Sequence, residues 1–152
     1  MVAKQYDIRK SDKIVVYDSS NGAFAHRARF MITTYGHADV KVLDGGIAKW
    51  KAEGFPVHAM PTIATADDYN YDLVPGLVHG FEDVKQASST GSHQIVDARP
   101  AEMFTKGAIP NAKNVSSSEV QHPDGKLKSA EEIKAAFAAA GVDITQPMIM
   151  SC

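Results

Sequence analysis

The only cysteine of the chain, Cys152, stands at the end of a short apolar run that begins after Pro147. An apolar run of this length, preceded by a helical pattern, is typical of a buried strand in a parallel sheet. Ligands of such sheets bind just past the carboxyl ends of the strands, so a thiol in this place faces the usual site of chemistry. Cys152 is therefore the candidate nucleophile.

The segments that must position Cys152 alternate between strand and helix. Apolar runs predict strands, and three- and four-residue spacings predict helices, in the order strand 14–17, helix 24–35, strand 40–43, helix 47–53, edge strand 77–78, helix 82–87, strand 94–96, helical turn 100–106, strand 112–115, helix 129–140 and strand 147–152. Ser129 and Glu132 have the spacing of a capping box at the start of the last helix. Because strands and helices alternate, the sequence predicts an α/β fold with parallel pairing.

Two features suggest two modules. Residues 58–71 carry Pro, Thr, Ala and Asp without a clear period, which predicts a linker between residues 1–57 and 72–152. At a fixed offset of 134 (152 − 18), a helix end, a polar spacer and a strand occur twice, with Asp18 in the place of Cys152. Either a tandem repeat or the general likeness of α/β strands explains this match.

Composition excludes several classes of function. A net charge of −2 and a pI of about 6.3 give no electrostatic basis for binding nucleic acid or an anionic membrane. The opening residues lack the apolar core of a secretory signal, and a lone cysteine fits a reducing compartment, so we expect an intracellular protein, cytoplasmic or mitochondrial. The six histidines show no metal-ligand spacing, and we expect neither a metal nor a cofactor.

Several motifs resemble one family. The segment 14–18, and the run Leu43-Asp44-Gly45-Gly46 followed by Trp50, Gly54 and Pro56, closely resemble the second half of an amino-terminal, non-catalytic rhodanese domain. The segments 95–99, 107–114 and 129–132, together with Cys152, resemble the first half of a catalytic rhodanese domain. The chain thus resembles the two-domain rhodaneses, the thiosulfate and 3-mercaptopyruvate sulfurtransferases, as a middle segment that ends at the catalytic cysteine.

This resemblance implies a rhodanese-like parallel sheet flanked by helices, present as the second half of one domain (1–57) and the first half of the next (72–152). It implies that Cys152 accepts a sulfane sulfur as a persulfide, and that Arg99 binds the anionic donor. The partners would be a small-molecule sulfur donor and a cyanide or thiol acceptor. For Arg99 a structural ion pair is the alternative, and Asp97 is expected to support the loop by accepting backbone N–H groups.

Departures from the family pattern leave other interpretations open. The sequence stops at Cys152, before the loop that the family pattern places next. If Cys152 is the true terminus, its own carboxylate would disfavour the thiolate, so we expect the chain alone to be a poor catalyst. A non-enzymatic binding or scaffold role, and a phosphatase relative of the same fold, are the alternatives. Incomplete domains could also associate with each other, or strand 40–43 could complete the sheet of the second half.

Overall fold

The computed structural model of the chain describes residues 8–9, 11–59 and 72–152. The chain divides into two compact units, Met1–Leu77 and Val78–Cys152. Most of the predicted linker, residues 60–71, lies outside the described residues, so the domain boundaries of the sequence analysis stay predictions. Within the described ranges, every helix is too short or too polar to cross a lipid bilayer.

The first unit contains two parallel strands, each followed by a helix. In chain order these are β1 (Ile14–Val16), α1 (Ala23–Thr34), β2 (Val40–Val42) and α2 (Gly46–Ala52). Ile14 pairs with Val40 and Val16 with Val42, which confirms the predicted parallel arrangement. A right-handed crossover through a helix is the usual way to bring two successive strands parallel.

Strand β2 pairs with β1 in a two-stranded sheet of its own unit. Residues 40–42 thus have their strand partner within their own unit. The short crossover through α1 explains this outcome, because it brings β2 directly beside β1 before the second unit begins.

The second unit contains a three-stranded parallel sheet in the order β4-β3-β5. Its elements are α3 (Phe81–Thr90), β3 (Gln94–Asp97), α4 (Ala101–Lys106), β4 (Lys113–Asn114), a 3₁₀ turn (Ser117–Glu119), α5 (Ala130–Ala139) and β5 (Met148–Ser151). These parallel strands and flanking helices confirm the predicted α/β class. The expected edge strand at Leu77–Val78 is wrong: these residues form a bend after the Pro75–Gly76 turn, and both side chains are exposed.

Buried aliphatic side chains fix the middle of this sheet. Val96 of β3, Val115 after β4 and Val142 after α5 form the core, and Phe137 and Met148 pack against it. Ser129 and Glu132 form the predicted capping box, with Ser129 Oγ accepting from the Glu132 N–H at 3.3 Å and Glu132 Oε2 accepting from the Ser129 N–H at 2.9 Å. Packing on this core holds the central strand β3 in place, so the residues at its carboxyl end have defined positions.

Candidate active site

The carboxyl ends of β3 and β5 lie side by side. Asp97 pairs with Ser151 in the parallel register, and the Ala98 N–H donates to the Ser151 carbonyl at 2.7 Å. Neighbouring strands are about 4.8 Å apart. Cys152, one residue past Ser151, therefore lies next to the turn formed by residues 97–99. The thiol of Cys152 is free and exposed.

The carboxylate of Asp97 holds the Arg99 side chain and backbone together. Asp97 is 2% exposed, and its Oδ1 accepts from the Arg99 backbone N–H at 2.9 Å. Arg99 Nε donates to both carboxylate oxygens at 3.0 Å, and Nη2 donates to Oδ2 at 2.6 Å. These hydrogen bonds from Arg99 outweigh the effect of burial and lower the pKa of Asp97. The pair is therefore ionised and fixed in one geometry.

One edge of the Arg99 guanidinium is left for a ligand. Its Nη2 also donates to the Gly107 carbonyl at 2.8 Å, so Nε and Nη2 are both engaged. Among the residues that the structure describes, Nη1 has no hydrogen-bond partner, and the side chain is 32% exposed. Both interpretations of Arg99 from the sequence therefore fit one geometry. The ion pair with Asp97 fixes the side chain, and the Nη1 edge can donate two N–H groups to an anion.

Arg99 lies close enough to Cys152 to interact with it electrostatically. Hydrogen bonding and attraction to Asp97 raise the pKa of Arg99, and the nearby Cys152 adds a smaller contribution to this rise. A cation beside the thiol favours the approach of an anionic sulfur donor. An exposed thiol and a fixed cation with two free donors thus share the same end of the sheet.

Sequence reasoning missed a fourth side chain at this end of the sheet, beside those of Cys152, Arg99 and Asp97. Asn114, the last residue of β4, donates from its Nδ2 to the carbonyls of Asp97 and Arg99, each at 2.9 Å. The available signals were its place in the segment 107–114 that resembles the family and in the short predicted strand 112–115, and neither gave the amide a role. Which turn that amide reaches depends on the register of β4 against β3, which a sequence pattern does not give.

Asp18 occupies a comparable strand end in the first unit. Its Oδ1 accepts from the N–H groups of Ser20 and Gly22 at 3.0 and 3.1 Å, and its Oδ2 accepts from the Ala25 N–H at 3.0 Å. Partial burial raises the pKa of Asp18, but the backbone hydrogen bonds outweigh this effect and the net shift is downward. Here a carboxylate of the chain itself fills a ring of backbone donors at the start of α1.

The described part of the chain contains no group of three or more His, Cys, Asp or Glu side chains arranged to hold a metal ion.

Comparison with known proteins identifies the family. The family model described as a rhodanese-like domain matches residues 2–53 and 81–152, which is most of the chain. The chain belongs to the rhodanese-like domain family.

Relatives in this family carry sulfurtransferase names. The 3-mercaptopyruvate sulfurtransferase of Escherichia coli K12 is 31% identical over 160 residues, and the match covers 98% of this chain and 57% of the relative. The thiosulfate sulfurtransferase of Gallus gallus is 35% identical over 150 residues, with 91% and 52% covered. The chain thus spans little more than half the length of these relatives.

A solved structure has the same fold. The crystal structure of SseA from Escherichia coli, described as a 3-mercaptopyruvate sulfotransferase with the rhodanese fold, superposes with a TM-score of 0.91 at 33% identity. The match covers 99% of this chain and 60% of that chain. This likeness confirms the predicted rhodanese-like architecture.

Proposed function

We propose that the protein is a sulfurtransferase that moves a sulfane sulfur from thiosulfate or 3-mercaptopyruvate to cyanide or a thiol through a persulfide on Cys152. The observation that carries this proposal is that Cys152 follows Ser151, the partner of Asp97 in the sheet, so that it lies at the turn that carries Arg99. The Nη1 edge of Arg99 has no partner among the described residues. Membership of the family and the names of the relatives agree with it.

The donor would bind through its anionic end. Thiosulfate and 3-mercaptopyruvate each carry at least two oxygen atoms that share a negative charge, and two N–H groups on one planar nitrogen can donate to such a group. Arg99 is the substrate-binding residue of this proposal. Asp97 supports it, because its carboxylate fixes the guanidinium in one orientation before the donor arrives.

Sulfur transfer then has two steps. The Cys152 thiolate attacks the outer sulfur of thiosulfate, a new S–S bond forms, and sulfite leaves with the electron pair of the broken S–S bond. With 3-mercaptopyruvate the C–S bond breaks instead, and the pyruvate enolate takes up a proton. Cyanide or a thiolate then attacks the outer sulfur of the persulfide and leaves with it, which restores the Cys152 thiolate.

The two units would have different roles. We propose that residues 1–57 are the second half of a non-catalytic rhodanese-like domain and that residues 72–152 are the first part of a catalytic one. Asp18 supports this division because it offers a carboxylate in the place where the second unit has a thiol. A carboxylate has no nucleophilic sulfur and cannot form a persulfide.

Steady-state assays of the whole chain test this function. Thiocyanate formed from thiosulfate and cyanide, and pyruvate released from 3-mercaptopyruvate in the presence of a thiol, report the two donor classes separately. Because the chain alone is expected to be a poor catalyst, we expect slow but measurable product formation with at least one donor. We also expect loss of product in Cys152→Ser and a raised KM for the donor in Arg99→Gln. Product formation that survives Cys152→Ser would refute the persulfide route. Absence of product with both donors would favour a non-enzymatic binding role.

A further inference from the structure

The Asn114 side chain binds both ends of the turn that carries Arg99. Its Nδ2 donates to the Asp97 carbonyl and to the Arg99 carbonyl, each at 2.9 Å. A primary amide has two N–H donors, so both are used here. The two acceptors are two residues apart in the chain, and one planar group therefore fixes the direction of two peptide carbonyls in the same turn.

Backbone hydrogen bonds hold the rest of this turn. The Ala98 N–H donates to the Ser151 carbonyl at 2.7 Å, and the Ala98 carbonyl accepts from the Ser117 N–H at 3.0 Å. Ala98 is therefore tied to β5 on one side of β3 and to the 3₁₀ turn after β4 on the other. For the Arg99 carbonyl, the corresponding contact comes from the side chain of Asn114. The backbone at Arg99 depends on this amide more than the backbone at Ala98 does.

The backbone at Arg99 decides where its guanidinium points. The side chain is long, so a small rotation of the Arg99 backbone displaces Nη1 more than it displaces the Cα atom. The ion pair with Asp97 limits this movement only while Nε and Nη2 remain aligned with the carboxylate. Loss of the Asn114 amide would leave the Arg99 carbonyl without its partner and would allow the turn to relax.

We propose that Asn114 is a positioning residue, which fixes the Asp97–Arg99 turn and thereby keeps the Nη1 edge of Arg99 directed at the anion site beside Cys152. In this proposal Asn114 acts on the donor only through Arg99. The inference rests on the proposed function in one respect, that the anion bound at this site is a sulfur donor. The claim that Asn114 orients Arg99 beside Cys152 does not depend on sulfur transfer.

The single cysteine of the chain allows a test that needs no sulfur transfer. Cys152 is alkylated with iodoacetate, which is an anion, and with iodoacetamide, which is neutral and of similar size. The ratio of the two rate constants measures the positive charge at the thiol and cancels general changes in its exposure or reactivity. Two opposite charges about 7 Å apart in water attract each other enough to change this ratio about threefold.

Four variants of the whole chain give the comparison. Arg99→Gln removes the charge and sets the lower limit of the ratio. Asn114→Ala removes both donors, and Asn114→Ser keeps a single hydroxyl donor. Gln94→Ala is the control at the other end of β3. The Gln94 amide hydrogen-bonds the Asp143 backbone at 2.7 and 2.9 Å and accepts from Lys113 Nζ at 3.0 Å, so this variant also shows what the loss of a contact to the residue before Asn114 does. It removes a comparable amide from the same sheet without touching the turn.

We expect the ratio in Asn114→Ala to fall about threefold, close to that of Arg99→Gln. Asn114→Ser should give a ratio between those of the unaltered chain and Arg99→Gln. If Asn114→Ala does not fold, Asn114→Ser is used to test the proposal. Gln94→Ala should keep the ratio of the unaltered chain. The proposal is overturned if both Asn114 variants keep the original ratio, if Arg99→Gln leaves it unchanged, or if Gln94→Ala lowers it equally.

The labelling result is independent of the proposed function. A chain that accepts no sulfur and yet shows the expected order of ratios would refute the sulfurtransferase proposal and retain the positioning role of Asn114. If sulfur transfer is found, the same variants should raise the KM for the anionic donor more than they lower kcat. A purely structural role would instead lower the fraction of active chain and leave KM unchanged.

Discussion

The Arg99 guanidinium donates three hydrogen bonds to the Asp97 carboxylate, at distances of 2.6 to 3.0 Å, while its Nη1 edge has no partner among the described residues. The same side chain is thus both fixed by an ion pair and open to an anion. A binding residue that is already oriented loses little conformational entropy when its ligand arrives. This relationship makes Asp97 and Arg99 a functional pair rather than two separate residues.

The first prediction concerns Asp97→Asn. This change keeps the size of the side chain but removes the charge that aligns Nε and Nη2 of Arg99. Because Asp97 is buried and Arg99 is partly exposed, we expect the free energy of unfolding to fall by about 2 kcal/mol. Urea denaturation followed by circular dichroism measures it. Asp39→Asn is the control, because the Asp39 carboxylate hydrogen-bonds none of the described residues. Equal stabilities of the two variants would contradict the role of the ion pair.

The second prediction concerns the pH dependence of stability. The pKa values of Asp97 and Asp18 are lower in the folded chain than the ordinary value of 3.8. The unfolded chain therefore binds protons first as the pH falls, and the two carboxylates stabilise the fold above about pH 4 and lose this effect below it. We expect a constant unfolding free energy between about pH 5 and 7 and a decline below about pH 4.

Two variants test whether Asp97 and Asp18 cause the loss of stability at low pH. Asp97→Asn and Asp18→Asn should each make the slope of stability below about pH 4 shallower. Denaturation curves at a series of pH values give this slope. A slope that neither substitution changes would show that other carboxyls cause the acid sensitivity.

The third prediction concerns the ring of donors around Asp18. Asp18→Ala leaves the N–H groups of Ser20, Gly22 and Ala25 without their acceptor. Because the loop is partly exposed, water can replace some of these bonds, and we expect a loss of about 1 to 2 kcal/mol. Hydrogen exchange at the Ala25 amide should also become faster than in Asp39→Asn. An unchanged exchange rate would show that the carboxylate does not order the start of α1.

The fourth prediction concerns Asn111, which has a φ of 65°. Its Nδ2 donates to the Ser88 carbonyl at 3.0 Å, and Ser88 Oγ donates to the Pro110 carbonyl at 2.7 Å. Asn111→Gly relieves the backbone but loses this bond and gains entropy in the unfolded chain, so we expect a destabilisation of about 1 kcal/mol. Asn111→Ala should cost about 2 kcal/mol, because it adds the strain of a positive φ. Thermal denaturation should rank Gly above Ala; the reverse order would contradict this account of the turn.

Much of this fold is predictable from the sequence because its signals are local. The apolar runs that became β1, β3 and β5, and the capping box at Ser129, depend on neighbouring residues alone. The apolar pair Leu77–Val78 led to the wrong prediction of an edge strand. Two residues after a Pro–Gly turn have too few backbone groups to hydrogen-bond as a strand, and their side chains stay exposed.

The site is less predictable because its contacts cross between strands. The family pattern pointed to Cys152, Arg99 and Asp97 as site residues, and the structure places all three at one end of one sheet. The choice between an ion pair and a binding role for Arg99 needed the geometry of the turn. The contact from Asn114 needed the register of β4, which no pattern of residue types provides.

The central claim is that Cys152 accepts a sulfur atom. Intact-mass spectrometry of the purified chain, before and after incubation with thiosulfate and separately with 3-mercaptopyruvate, measures this directly. We expect a gain of one sulfur atom with at least one donor, reversed by dithiothreitol, absent in Cys152→Ser and reduced in Arg99→Gln. A mass that stays unchanged with both donors, or a gain that persists in Cys152→Ser, would contradict the claim.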